Sequence, residues 1–412
     1  MPPKTTRSVN VVLALAVVLL FACQARATSF STIYTFPLPP TNGMTPNGNL
    51  LYVDGALVGV TRAGGSGTCT VYVSGCGVVY ALTPGSGRAW NFRLLYQFSS
   101  GTDAQNPVGN LVRDAAGNVY GAAQYGGSNG FGAVYKLSLS GGRVTESVIY
   151  SFTNMPDGAN PGAGLSMDAA GNIWGTTGAG GTGNYGTVFR LTPNSDGTWT
   201  GSVIHSFTDA PDGFNPQGEV IFDASGNVYG TTQAGGNNGT YGDGVVYQLN
   251  PGVGGEWTES ILYTFPNVSM GYPVHALLMD SAGNLFGVGK SDGEQGSVYE
   301  ISPILGGWSE TTIYEFLRGS HTGFEPDGNL VLGPQGQLVG TVRDGTPQAG
   351  GAIFELVQGS SGWTYVILHE FSNAQGGTLP NSGLTQGRPG FYYGTTAVGN
   401  NSAYGTVYQI TP

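Results

Sequence analysis

The chain has 412 residues, with 14 basic against 25 acidic, a formal net charge of −11 at pH 7, only 9% charged residues and 72 glycines. Such an acidic balance argues against nucleic acid or an anionic bilayer as partner, since both need a basic face. Few charges, many Gly, Thr, Ser, Asn and Tyr, and clear period-2 stretches describe an extracellular all-β protein rather than a disordered one.

The first residues are expected to lie outside the fold. Lys4 and Arg7 precede an apolar run, Val11 to Ala22, too short for a stable membrane helix. Ala25-Arg26-Ala27 then fits the small-x-small cleavage rule of a secretory signal, so residues 1–27 read as signal peptide and residues 28–412 as one domain. The alternative is lipoprotein processing at Cys23, although Phe21 is bulky for that box. No sorting tail follows Pro412, which leaves Cys23 as the one expected anchor. Without Lys4, Arg7 and Arg26 the balance is 11 basic to 25 acidic residues, or −14. No second apolar run of membrane length follows, so the protein is expected to be secreted, periplasmic or held at the cell surface, with no membrane span.

Past the signal, one pattern recurs seven times, opening near Pro46, Pro107, Pro161, Pro216, Pro273, Pro326 and Pro380. Periods of this size mark repeat architectures. Each unit reads as four short strands. In the second unit these are Asn110 to Asp114, Val119 to Ala123, Ala133 to Leu137 and Glu146 to Phe152, with the turn Ala115-Ala116-Gly117-Asn118 after the first. Asp followed three residues on by Gly is tight-turn chemistry. No stretch has helical period. Four-stranded units repeated radially make a seven-bladed β-propeller.

The two ends complete each other. The seventh unit stops at its third strand, Gly405 to Ile410, and the missing fourth-strand pattern stands at Ser29 to Phe36. The N-terminal strand should therefore close the last blade and remove the open edges. A parallel solenoid is the rival, with shorter coils and no strand borrowed from the far end.

Trp174-Gly175-Thr176-Thr177 with Gly186-Thr187-Val188-Phe189, Tyr229-Gly230-Thr231-Thr232, and Tyr393-Gly394-Thr395-Thr396 with Gly405-Thr406-Val407-Tyr408 resemble the GloVer-type tandem repeat of bacterial secreted proteins, also called choice-of-anchor tandem-repeat proteins. The resemblance spans nearly all of the chain after the signal. It implies an exported protein, often held at the surface. It carries no shared activity and therefore no catalytic residues.

Candidate chemistry lies where the repeat breaks. Loops joining strands two and three share a face with the links between blades, and propeller ligands usually sit there, near the central channel. In blade five Lys290-Ser291-Asp292-Gly293-Glu294 replaces the usual Thr-Gly-rich string, and His275 replaces the Gly after Pro273. In blade six Arg343 and Asp344 stand at the same place, with His321 and Glu325 in the link before. His275 or His321 as acid/base, Asp292, Glu294 and Asp344 as carboxylates, and Lys290 and Arg343 as cations are the residue types for hydrolysis or for lyase chemistry on a uronate-bearing glycan. Loop drift explains the same residues without function. Phe131, Tyr185, Tyr241 and Tyr404 precede the Gly that opens strand three, an aromatic crescent able to stack a sugar ring or simply to cover neighbouring loops.

Cys69 and Cys76 are the only cysteines besides Cys23, and an exported pair this close is expected to form a disulfide. No metal or cofactor is expected. Asp103, Asp157 and Asp212 precede blades two to four, but one Asp per blade should lie too far from the next to share an ion, and turn capping accounts for them. His205 and His369 replace a fourth-strand Tyr and read as structural. The leading expectation is an exported, monomeric, non-catalytic module binding a glycan or surface protein. A polysaccharide lyase or hydrolase, and a purely structural envelope protein, are the alternatives.

Overall fold

The computed structural model describes residues 28–411 apart from residues 39, 70–73, 209, 237–243, 267–271, 292–294, 318, 349 and 400–402. The signal segment and Cys23 lie outside the described residues. Among the described residues no helix is long and apolar enough to cross a membrane.

Seven small antiparallel sheets form a seven-bladed β-propeller. Blade one runs Met44–Val53, Ala56–Ala63, Val78–Pro84 and Trp90–Gln97 from the centre outward. Blade seven takes its outer strand from the start of the chain: Ser29–Thr35 pairs antiparallel with Thr406–Thr411, from Ser29 opposite Thr411 to Thr35 opposite Thr406. The ring closes as the two chain ends predict.

The signature Gly of each second strand has one cause. It lies directly opposite an aromatic of the third strand: Gly59 faces Tyr80, Gly121 faces Tyr135, Gly175 faces Phe189 and Gly230 faces Tyr247. Gly287 faces Tyr299, Gly340 faces Phe354 and Gly394 faces Tyr408. The ring lies flat over the glycine, so that a Cβ on Gly121 would come within 2.3 Å of the Tyr135 hydroxyl. These rings are almost wholly buried, and each packs against a Phe that follows the outer strand of the preceding blade, as Phe152 packs on Phe189 and Phe265 on Tyr299, so the core lies between neighbouring blades. The hydroxyls of Tyr80, Tyr135, Tyr247, Tyr299 and Tyr408 find no hydrogen-bond partner among the described residues.

Neighbouring blades also meet through a repeated contact between outer strands. A fourth-strand Tyr or His leans on the next blade: Tyr34 on Phe92, Tyr96 on Glu146, Tyr150 on Gly201, His205 on Glu259, Tyr263 on Glu310, Tyr314 on Tyr365 and His369 on Phe30. His369 stacks on Phe30 with ring centroids 3.6 Å apart, and burial pulls its imidazole down to about 4, so it serves as a neutral packing ring across the closure.

The Asp-x-x-Gly-Asn turns are built as their chemistry requires. Asp168 accepts from the Asn172 backbone amide at 2.9 Å, the Asn172 side chain at 2.8 Å and the Trp174 indole at 2.9 Å. Asp103, Asp157 and Asp212 cap the links after the fourth strands. Asp157, for example, accepts from the Thr153 amide at 2.9 Å and the Tyr150 hydroxyl at 2.7 Å. Cys69 and Cys76 are free thiols, contrary to the expected disulfide. The two thiols touch, but each sulfur is engaged as a donor, Cys69 to the Gln105 side chain at 3.0 Å and Cys76 to the Thr68 carbonyl at 3.4 Å.

Candidate functional site

A polar cavity of about 400 Å³ opens at the centre of the face that carries the blade links. Its floor comes from the first strands. There the backbones of neighbouring blades touch: a Cβ on Gly109 would lie 2.0 Å from the Gly164 nitrogen, and one on Gly328 2.0 Å from that of Gly383. This close approach is why Pro-x-Gly opens so many units. In several units the side chain three residues after the Pro then laces the blades together. Asn110 accepts from the Asn49 amide at 2.7 Å, and Asn329 accepts from the Ala276 amide at 3.0 Å. Glu219 accepts from the Gly164 amide at 3.0 Å and from the Asn329 side chain at 3.0 Å, so that blade four is tied to blades three and six.

His275 departs from this floor. It occupies the position filled by Gly48, Gly109 and Gly328, whose φ values are +76°, +65° and +92°, and it adopts the same left-handed backbone at φ +64°. For a residue with a Cβ that conformation costs roughly 1–2 kcal/mol. The side chain reaches the cavity and pairs with Asp327, Nε2 to Oδ1 at 2.5 Å. Burial pulls the imidazole down, but the hydrogen bond and charge of Asp327, with the charge of Glu219, outweigh it, and the net shift is upward. Burial pushes the Asp327 carboxyl up, while His275, Lys290 and Arg343 bring it below its ordinary value. The two shifts run in opposite directions because each partner favours the charged form of the other.

The wall comes from the ends of the second strands. One register position, the residue after Gly-Thr-Thr or its equivalent, holds Arg62, Gln124, Gly178, Gln233, Lys290, Arg343 and Ala397 in blades one to seven. All but Gln124 and Gly178 line the cavity. The three cations fall in blades five, six and one, flanking small Ala397 of blade seven. Lys290 pairs with Glu325 at 3.1 Å, and Arg62 donates to Gln124 at 3.0 Å.

Of the residues singled out in the sequence, the cavity gathers His275, Lys290 and Arg343, with Glu325 behind Lys290. His321 is exposed in the link before blade six and does not line it. Asp344 lies one residue beyond the lining position, its carboxylate accepting from the Gly345 amide at 2.7 Å. Asp292, Glu294 and Tyr241 lie outside the described residues. The aromatic crescent does not line the cavity either. The carbonyls of Phe131, Tyr185 and Tyr404 accept from the amides of Asn160, Asn215 and Thr45, which clamps each blade to the next. The Tyr185 ring packs on Phe214 at 5.6 Å and Tyr404 packs against the blade-one core.

Sequence reasoning missed Arg62, Glu219, Asp327 and Asn329. Their signal was positional: Arg62 breaks the Thr-Thr string as Lys290 and Arg343 do, and the others follow a unit-opening Pro by fixed steps.

One link aspartate has a carboxylate of another kind beside it. His205, Asp212 and Glu259 place ligand atoms within 4.8 Å of one another on the outer wall between blades three and four. The fourth-strand Glu of the next blade supplies the second carboxylate, which a comparison of link aspartates alone overlooks. One imidazole and two carboxylates are donors a divalent cation such as zinc accepts. The joint between blades one and two uses Tyr96, Asp103 and Glu146 in the same places, so inter-blade bonding accounts for the trio without an ion.

The family model described as the Gloeobacter/Verrucomicrobia repeat matches residues 67–240 and 237–412. No curated protein matches the chain. Among solved structures, a Dyadobacter fermentans protein of unknown function is 12% identical with a TM-score of 0.46, over 94% of this chain and 99% of that one. A Thermus thermophilus protein provisionally described as an oxidoreductase (glucose dehydrogenase) is 15% identical with a TM-score of 0.45, over 80% of this chain and all of that one. Likeness at this level transfers no function.

Proposed function

We propose that this chain, which belongs to the Gloeobacter/Verrucomicrobia repeat family, is an exported binding module that holds a small carbohydrate in its central cavity. His275 carries the reading. A scaffold alone favours Gly at this left-handed position, as three other blades have it, and an imidazole is kept there at a conformational cost. Its surroundings suit hydroxyl groups. Asn47, Asn110, Gln217, Gln233, Asn329 and Asn381 offer amides that both donate and accept, in a concave site of ordinary ligand size. The secretory signal read at residues 1–27 supports placing this binding outside the cytoplasm.

Lyase or hydrolase chemistry ranks second. Asp327 engages the His275 Nε2 and raises the imidazole above its ordinary value, which disfavours that ring as a free base, and His321 stands away from the cavity. A glycan array probed with the chain beginning at Thr28, wild type against His275→Gly, tests the binding reading. Glycans bound by the wild type and lost by a folded His275→Gly support it. Equal binding by both removes the cavity from the account, and an array with no bound glycan leaves a structural propeller.

A further inference from the structure

We infer that the ligand of the central cavity is a sugar acid, its carboxylate seated on the arc formed by Lys290, Arg343 and Arg62 and its hydroxyls on the amide-lined floor. The inference rests on the carbohydrate-binding reading above and narrows it.

The charge distribution comes first. The whole chain is acidic at −11, and after the signal only 11 basic residues remain against 25 acidic ones. Three of those basic residues share a single register position of the second strands, and all three line one cavity. Chance drift on an acidic surface does not favour that grouping. No acid occupies the position in any blade; the others hold Gln, Gly, Gln and Ala.

The charge of the arc sets the sign of the guest. Among the described residues Arg62, Lys290 and Arg343 supply three positive charges there, and of these Lys290 is paired, with Glu325. An arc of this sign and geometry seats an anion, and a planar carboxylate matches the guanidinium fork.

Position separates the roles. Asp327 is occupied by His275 and Glu219 by Gly164 and Asn329, so the floor acids are already satisfied and do not repel the guest from an open site. Among the described residues Arg343 has no hydrogen bond or ion pair, and its planar fork suits a carboxylate with two parallel bonds. Ala397, between Arg343 and Arg62, leaves room at the middle of the arc.

The test is calorimetric titration of the chain beginning at Thr28 with matched monosaccharide probes: galacturonate, galactose and galactose 6-phosphate. The acid is expected to bind at least tenfold tighter than the neutral sugar, with the preference shrinking as salt rises. Arg343→Gln should weaken acid binding about tenfold and leave neutral-sugar binding in place, and Arg62→Gln should act in the same direction. Arg113→Gln removes a positive charge from the Asp54 pair away from the cavity and should change neither; circular dichroism confirms that each variant is folded. Equal binding of acid and neutral sugar, unmoved by Arg343→Gln, overturns the sugar-acid assignment while carbohydrate binding stands. A phosphate ester bound more tightly than the acid also overturns it. No binding by any probe overturns both readings.

Discussion

His275 offers the sharpest test of how scaffold and site divide this propeller. Two substitutions delete the same imidazole and differ only in the backbone. His275→Ala keeps a Cβ at φ +64°, whereas His275→Gly restores what Gly48, Gly109 and Gly328 do in their own blades. Left-handed backbone costs a residue with a Cβ roughly 1–2 kcal/mol, so the glycine variant should be the more stable by about that amount. Both variants also lose the ion pair. Breaking a fully buried pair costs about 3–5 kcal/mol, but the His275 and Asp327 side chains remain 32% and 15% exposed, and Lys290 and Arg343 still act on Asp327. A loss of about 1–2 kcal/mol is therefore expected from the pair. The terms nearly cancel for His275→Gly, which should unfold in urea close to the wild type; His275→Ala keeps the backbone cost the wild type already bears and loses only the pair, so it should fall about 1–2 kcal/mol below it. The pH dependence follows from the upward shift of His275. Stability from the pair is full below about 6.5, the ordinary imidazole value, and is lost as pH rises through the raised value, so His275→Gly should gain on the wild type with rising pH. An alanine variant as stable as the glycine variant would refute the claim that the imidazole is held against the backbone's preference.

Three further outcomes follow from the fold. Tyr135→Phe should stabilise the protein by up to about 1 kcal/mol in urea unfolding, because it removes a buried hydroxyl without a partner and leaves the ring that Phe189 and Phe354 already supply in their blades; a clear loss of stability would mean that the hydroxyl is satisfied. A chain beginning at Gly43 lacks the closing strand, fully buried Phe36 and the Phe30 ring stacked on His369, and should aggregate on size-exclusion chromatography; unfolding as cooperative and as hot as that of the chain beginning at Thr28 would remove closure as a source of stability. Glu146 is raised to about 7, first by burial and then by the charge of Asp103, despite the hydrogen bond from Tyr96. The folded state holds its proton between about 4.5 and about 7 while the unfolded state has lost it, so Glu146 makes stability fall as pH climbs through that window. Glu146→Gln should flatten the dependence of melting temperature on pH, and an unchanged profile would locate the titration elsewhere.

Much of this fold was legible because the signature residues act locally. Asp168 and Asn172 make a turn wherever they stand, and the strand pattern at Ser29 to Phe36 was identifiable by its absence after Ile410. The meaning of the Gly in Tyr-Gly-Thr-Thr was not legible, since its reason is a ring on another strand: Gly230 is small because Tyr247 covers it. The backbone role of the aromatic crescent was hidden for a related reason. Phe131, Tyr185 and Tyr404 hold their place through backbone carbonyls, and a clamp made by a carbonyl leaves no trace in side-chain chemistry.

The site was half legible for a geometric reason. A propeller converts a repeat position into a radius and a height, so residues some fifty positions apart along the chain become neighbours when they share a register and stand apart when they do not. Lys290 and Arg343 share one, and Arg62 joins them from the far side of the closure although it is distant in sequence. His321 and Asp344 are close to the site in sequence but off that register, and they fall outside it. Glu219 was hidden because it resembles the Asn at its position in other blades while reaching farther, to a backbone amide in blade three and a side chain in blade six. Function in this architecture is therefore a property of rings of equivalent positions. A blade read alone shows Arg343 as surface charge; the ring shows it as one part of a cationic arc in an acidic protein.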